Sequence, residues 1–161
     1  MLAAREALIG RDRVSLCAAG KKRPTRAGTD RACNLEVHRL VVESINARKV
    51  PEELLAPGFR MESHVSAVTD YEYYGAQGLR DWMNDVFEVF AEGSEYSVEE
   101  IITVGDDHVA AMFCLSGSGG RSGLPLEFRW AGVTWFRNCR ALRAVGYATR
   151  AEALAALRST I

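Results

Sequence analysis

Apolar residues near the start of the regular part of the chain recur at helical spacing. Between residues 32 and 47 they are Leu35, Val37, Leu40, Val41 and Ile45. This spacing predicts a first helix over about residues 32–47, for which Asp30 or Asn34 would provide the N-terminal cap.

Two further helices are predicted before the middle of the chain. Pro51 stands at a permitted first-turn position, so a short helix is expected over residues 51–55, and a short strand should follow at 59–63. A third helix is predicted over about residues 76–91. Its apolar positions form one stripe, and they are Leu79, Trp82, Met83, Val86, Phe87 and Phe90.

The second half of the chain is rich in residues that favour strands. The runs of this kind are residues 96–104, 109–118, 126–137 and 140–147. They predict an antiparallel meander. In the longest run the apolar face should comprise Phe128, Trp130, Gly132, Thr134 and Phe136.

The order of helices first and sheet later predicts an α+β fold, with the helices packed on one face of a curved antiparallel sheet. Such a curved sheet leaves a concave, partly apolar pocket. The spacing from Thr149 to Glu152 matches a capping box and predicts a short closing helix.

The other face of the longest strand carries Val133 and Trp135 among charged residues. An apolar centre with a charged rim is typical of a subunit interface. We therefore expect a homodimer that forms through the outer face of the sheet.

The formal net charge of −1 combines a basic beginning with an acidic remainder. Residues 1–32 carry eight Lys and Arg against three acidic residues, whereas the rest carries 12 against 18. We expect residues 1–30 to be a basic, flexible extension and residues 31–161 to be the folded domain. An acidic domain does not fit nucleic-acid binding, which depends on clustered Lys and Arg.

The chain shows no sign of a membrane span or of a secretory leader. No apolar run approaches the roughly 20 residues that cross a bilayer, and charged residues interrupt the N-terminus. The four scattered cysteines form no Cys-x-x-Cys pair, so we expect free thiols. A cytoplasmic location without membrane contact is the resulting prediction.

Several segments in this order resemble the SnoaL-like family of the nuclear-transport-factor-2-like superfamily, which also includes the ketosteroid isomerases. The resemblance spans about residues 33–158, and its segments are Asn46–Lys49, Leu54–Phe59, Tyr73–Gly75 leading to Leu79–Trp82, and Gly146–Leu154. It implies a cone-shaped α+β barrel with an apolar pocket, often dimeric. Relatives include isomerases, polyketide cyclases, epoxide hydrolases, dehydratases and noncatalytic modules, so the resemblance does not imply one chemistry.

The sequence departs from the catalytic pattern of these relatives. Ser63 stands where the isomerase base would fall, and Gly132 where its oxyanion-stabilising acid would fall. Thr149 replaces an aspartate that is common near the final strand. None of these residues can do the work of a carboxylate base or acid.

His64 and Tyr73 are the remaining catalytic candidates, since a histidine near carboxylates and phenols can act as a base near pH 7. The alternative is that this segment is a solvated loop. His38 and His108 are expected at the surface. Three isolated histidines offer no metal-ligand spacing, so neither a metal nor another cofactor is expected.

A ligand pocket is expected along the apolar faces of the helices and strands. Its predicted lining residues are Met61, Ser63, Trp82, Phe87, Met112, Phe128, Trp130, Gly132 and Thr134. Two functions follow as hypotheses: binding of a small apolar molecule with acid–base isomerase, cyclase or hydrolase chemistry, or a noncatalytic binding or dimerisation module of the same fold.

Overall fold

A computed structural model of the chain describes residues 27–65 and 72–159. Its helices are α1 (Ala27–Asn46), a 3₁₀ turn (Glu52–Leu54), α2 (Gly75–Phe87) and α3 (Arg150–Arg158). Its strands are β1 (Leu55–Ser63), β2 (Glu72–Tyr74), β3 (Glu95–Val104), β4 (His108–Ser118), β5 (Pro125–Phe136) and β6 (Ala141–Tyr147). The remainder of the predicted N-terminal extension, before Ala27, lies outside the described residues.

The strands form one mixed sheet in the order β2-β1-β6-β5-β4-β3. Neighbouring strands are antiparallel except β1 and β6, which run parallel and pair Leu55 with Ala141 at one end. The predicted α+β class and mostly antiparallel sheet are confirmed. The predicted barrel is not closed, because β2 and β3 remain as the two edges of the sheet.

The helices cover both faces of the sheet. On the inner, concave face, α1 packs against β3, β4 and β6, and α2 packs against β1 and β2. On the outer face, α3 packs against β4, β5 and β6. The larger apolar core therefore lies inside the curve of the sheet, and a smaller one lies beneath α3.

Helix α1 is anchored to the sheet at two points along its length by asparagine side chains. Asn34 Nδ2 donates to the backbone oxygen of Asp106, in the β3–β4 turn, at 2.7 Å. Asn46 pairs with the backbone of Tyr96, accepting from its N–H at 2.8 Å and donating to its carbonyl oxygen. Because α1 begins at Ala27, Asp30 and Asn34 both lie inside the helix, and the predicted capping role of either is wrong. The Asn34 amide holds a neighbouring element instead.

The predicted stripe of the third helix is confirmed in α2, where Leu79, Trp82, Met83 and Val86 are buried. The helix ends at Phe87, four residues before the predicted end. The chain then turns to meet the end of β4, where Ala91 N–H donates to the Ser118 oxygen at 2.7 Å.

Two short elements differ from the prediction. The helix expected at residues 51–55 is a three-residue 3₁₀ turn, because Leu55 already pairs with Ala141 in the sheet. The sequence pattern does not predict strand β2, which has only three residues. This strand forms through antiparallel pairing with β1.

The closing helix α3 begins as the sequence predicts. The Thr149 hydroxyl oxygen accepts from the Glu152 N–H at 3.2 Å, and Thr149 N–H donates to the Glu152 carboxylate at 3.3 Å. Within the described ranges, no helix has both the length and the apolar character that a bilayer span requires.

The expectation of four free thiols is wrong for two of the cysteines. Cys33 of α1 and Cys139 of the β5–β6 turn form a disulfide, with their Cα atoms 5.8 Å apart. Cys114 is a buried free thiol, and Cys17 lies outside the described residues. The predicted cytoplasmic location relied in part on the expectation of free thiols. Because disulfides are typical of oxidising compartments, that support is removed.

We expect Cys33→Ser to lower the free energy of unfolding by about 2–4 kcal/mol, because the disulfide joins residues 106 positions apart and restricts the unfolded chain. Urea titration measures this change. Reductant should destabilise the wild type to the level of the variant and leave the variant unchanged. Alkylation of both Cys33 and Cys139 in the unreduced, denatured protein would contradict the assignment.

Candidate functional site

A cavity of about 80 Å³ lies between the inner face of the sheet and helices α1 and α2. The residues that define its walls include His38, Val42 and Ile45 of α1, Trp82 and Val86 of α2, Met61 and Ser63 of β1, Tyr96 of β3, Phe113 of β4, and Phe128, Trp130, Gly132 and Thr134 of β5. This volume holds several water molecules. A ring compound would require its neighbouring side chains to adjust.

Three aromatic rings from adjacent strands form one wall of the cavity. The centres of the Tyr96 and Phe113 rings are 5.4 Å apart with their planes 7° from parallel. The Trp130 ring lies 5.5 Å from Tyr96 and 5.8 Å from Phe113. We call Tyr96, Phe113 and Trp130 the aromatic wall. Its stacked geometry provides a broad apolar surface for a flat molecule.

Gly132 makes room for this wall. A Cβ atom at Gly132 would lie 2.6 Å from the Phe113 ring, closer than van der Waals contact allows. Phe113 therefore occupies the space beside Gly132, and the absence of a side chain at Gly132 serves ring packing.

His38 is a buried polar residue of the cavity wall. It is 4% exposed, and its ring centre lies 5.7 Å from that of Phe113. In the described part of the chain, its Nε2 is the one fully buried side-chain nitrogen or oxygen that has no hydrogen-bond partner. Burial lowers the pKa of His38 to about 4, so the imidazole is neutral at pH 7.

The prediction that His38 lies at the surface is wrong because the buried face of α1 differs from the apolar stripe. Leu35 is 39% exposed, whereas Asn34, Val37 and His38 are buried. His38 lies seven residues, or two helical turns, before Ile45. This spacing was the signal in the sequence that could have placed His38 on the buried face. Asn34 lies one turn earlier on the same face.

One carboxylate residue, Glu62, lines the cavity among the described residues. Arg143 donates to both of its oxygens, at 2.9 and 2.8 Å, and Arg60 lies 3.1 Å from one of them. The Arg143 guanidinium holds the pKa of Glu62 below its usual range. Glu62 is thus an ionised, paired group, and it is poorly suited to take a proton near neutral pH.

His64 and Tyr73, the predicted catalytic residues, do not line this cavity. His64 is exposed, and its ring centre lies 5.7 Å from that of Tyr147. The Tyr73 hydroxyl donates to Asp85 at 2.8 Å. The intervening residues 66–71, which include Asp70 and Tyr71, lie outside the described residues. Acid–base work by His64 and Tyr73 stays a prediction.

Seven of the nine residues predicted to bind a ligand lie at the cavity, and they are Met61, Ser63, Trp82, Phe128, Trp130, Gly132 and Thr134. Phe87 lies beneath Arg48 instead, with the guanidinium carbon 3.3 Å from its ring centre. Met112 belongs to the apolar cluster under α3, since alternation places it on the outer face of β4.

The other polar candidates are accounted for elsewhere. The Ser63 hydroxyl oxygen accepts from Val65 N–H at 3.3 Å. His108 is partly exposed, with Nδ1 3.0 Å from the Asp107 carboxylate. Over residues 27–65 and 72–159, no group of three or more His, Cys, Asp or Glu side chains is arranged to hold a metal ion.

The outer face of the sheet is partly covered by the chain itself. Ala153 of α3 packs on Ala110, Ala131 and Val133, and all four are fully buried. Val133 therefore offers no surface to a second subunit, and that part of the predicted interface is wrong. Trp135 remains partly exposed beside the Arg143 guanidinium, whose carbon is 5.1 Å from its ring centre.

No protein-family model and no curated protein matches this sequence. Solved structures do match its fold. A protein assigned as a SnoaL-like polyketide cyclase, from Jannaschia sp. CCS1, superposes with a TM-score of 0.61 at 19% identity, over 88% of this chain and 97% of that one. A nuclear-transport-factor-2-like protein of unknown function, from Burkholderia pseudomallei K96243, gives 0.60 at 20% identity, over 76% and 95%.

A third similar structure is TerC co-crystallised with polyporic acid, with a TM-score of 0.60 at 15% identity, over 79% of this chain and 96% of TerC. At these identities the likeness shows the fold alone. The fold is nuclear-transport-factor-2-like, as the sequence resemblance to SnoaL-like proteins predicts.

We expect stability to fall in acid through His38. An unfolded histidine titrates near pH 6.5, whereas folded His38 stays neutral down to about pH 4, so protons favour the unfolded chain. The stability that depends on neutral His38 is fully present above pH 6.5. As the pH falls toward 4, the free energy of unfolding decreases by about 3 kcal/mol at most.

Urea titrations at pH 7 and pH 4.5 test this prediction. His38→Leu should lose less stability between the two values than the wild type. The exposed His64→Gln variant serves as the control and should behave like the wild type. Equal losses in the wild type and His38→Leu would contradict the burial of His38.

Proposed function

We propose that this protein binds a small, flat, neutral organic molecule in the cavity between the sheet and helices α1 and α2. The observation that carries the proposal is the aromatic wall of Tyr96, Phe113 and Trp130, which faces an otherwise apolar enclosure. Apolar enclosure with few polar groups is the usual composition of a small-molecule site.

The cavity limits the size of such a molecule. At about 80 Å³ it is smaller than the roughly 150 Å³ cavity known to take a benzene ring in another protein. A single ring with adjustment of flexible side chains such as Met61 fits this volume better than a polycyclic compound. The co-crystallisation of the similar TerC with polyporic acid supports small-molecule binding by this fold.

Binding is favoured over acid–base catalysis by the charges at the cavity. Glu62 is paired with Arg143, and burial keeps His38 neutral with a pKa far below 7. The described lining thus has no group whose pKa lies near neutrality, which general acid–base catalysis at pH 7 favours.

Binding can be tested with toluene and phenol as probes. Trp82 and Trp130 line the cavity, so we expect saturable changes in tryptophan fluorescence together with an increased melting temperature. Ala144→Leu fills part of the cavity and should weaken binding at least about tenfold, whereas Ala155→Leu on the exposed face of α3 should not change it.

Two results would count against the proposed function. One is the absence of saturable binding of either probe to the folded wild type. The other is equal binding by Ala144→Leu and Ala155→Leu when both variants are folded by circular dichroism, since the molecule would then occupy a different place.

We also propose that the chain forms a homodimer through the outer face around Trp135. The support is a partly exposed tryptophan that is flanked by the Arg143–Glu62 ion pair, an apolar centre beside charged groups. Val133 is not part of this surface.

Trp135→Glu should convert the dimer to monomers, because a charge would be buried without a partner in the interface. Sedimentation velocity measures the change. Leu124→Glu, at a site 65% exposed, is the control and should leave the association state as it is. A wild type that sediments as a monomer would refute the dimer itself.

A further inference from the structure

We infer that the cavity selects a ring compound that bears a hydroxyl or carbonyl oxygen, and that this oxygen hydrogen-bonds to His38 Nε2 while the ring lies against the aromatic wall. The inference rests on the proposed function, because it names the chemical class that the same cavity would take. It adds a binding residue that the sequence pattern did not indicate.

The first argument is that His38 Nε2 has no partner within the described protein. Folding removes this nitrogen from water, and no described protein group replaces the lost hydrogen bond. Asn34 and Asn46, on the same helix, both hydrogen-bond to backbone groups, of the β3–β4 turn and of β3 respectively. The polar contacts that dock α1 therefore do not involve His38. Its Nε2 atom remains available for a molecule in the cavity.

The second argument is the position of the imidazole. His38 lines the cavity, and its ring lies beside the aromatic wall, 5.7 Å from Phe113 and tilted by 38°. A flat molecule on that wall places its edge next to the imidazole. One polar substituent on the ring can then reach Nε2 while the rest of the molecule keeps apolar contacts.

The third argument is charge. A neutral imidazole has one N–H donor and one acceptor nitrogen, so Nε2 can pair with either a carbonyl or a hydroxyl according to its tautomer. Within the described lining there is no Lys or Arg to neutralise an anionic ligand, and Glu62 is occupied by Arg143. A carboxylate, phosphate or ammonium group would thus be buried without a counter-charge.

The test compares three probes of similar size: phenol, benzaldehyde and toluene. Phenol has a hydroxyl, benzaldehyde has only a carbonyl acceptor, and toluene has neither. Dissociation constants are measured by tryptophan fluorescence at pH 7 for the wild type, His38→Leu and His38→Gln. Leu removes the hydrogen bond at similar volume, whereas Gln retains a donor and an acceptor.

We expect His38→Leu to weaken phenol, benzaldehyde or both about tenfold while leaving toluene unchanged or slightly tighter. His38→Gln should restore part of the lost affinity. Whichever of phenol and benzaldehyde responds identifies the partner as a hydroxyl or a carbonyl. Because Leu replaces an unpartnered polar group in an apolar site, this variant should fold at least as stably as the wild type at pH 7.

Two outcomes would overturn the inference, and they are distinguishable. If toluene binds the wild type and His38→Leu changes the three probes equally, the cavity binds rings but His38 does not select them. That is also the result expected if a water molecule alone satisfies Nε2. If no probe binds the folded wild type, the proposed function fails together with the inference.

Discussion

The structure depends on the docking of α1 across the concave face of the sheet. The hydrogen bonds of Asn34 to the β3–β4 turn and of Asn46 to β3 hold the helix on the sheet, and the Cys33–Cys139 disulfide joins it to the neighbouring β5–β6 turn. These contacts position the helix while leaving the stretch between Asn34 and Asn46 facing the cavity. His38 and Ile45 consequently become cavity walls rather than parts of a fully filled core.

The two faces of the sheet separate the polar chemistry of the domain. Glu62 borders the cavity, but its carboxylate pairs with Arg143, whose guanidinium lies beside the partly exposed Trp135 of the outer side. The inner side keeps aromatic rings and one neutral imidazole. Such a division follows from the strict alternation of side chains along a strand, since a charge can be placed one residue from the cavity without entering it.

Local patterns in the sequence were sufficient for much of this organisation. The stripe of Leu79, Trp82 and Val86 predicts α2 because helical periodicity is contained within a few turns, and the alternation around Trp130 and Gly132 assigns the cavity side of β5 for the same reason. The parallel pairing of β1 with β6, the disulfide and the burial of His38 depend on residues far apart in the chain. The burial of His38 was not evident from the sequence because Asn34, on the same face of α1, is polar. A polar residue is expected at the surface unless its buried hydrogen-bond partner is known.

The place of β6 in the sheet has a consequence for the order of folding. Strands β3, β4 and β5 are joined by tight connections and can pair as soon as they are made, whereas β1 must find β6, as in the pairing of Leu55 with Ala141. Contacts between such distant segments slow folding. During synthesis, one edge of β1 stays unpaired until β6 has left the ribosome. The cavity between the sheet and the helices is completed only then.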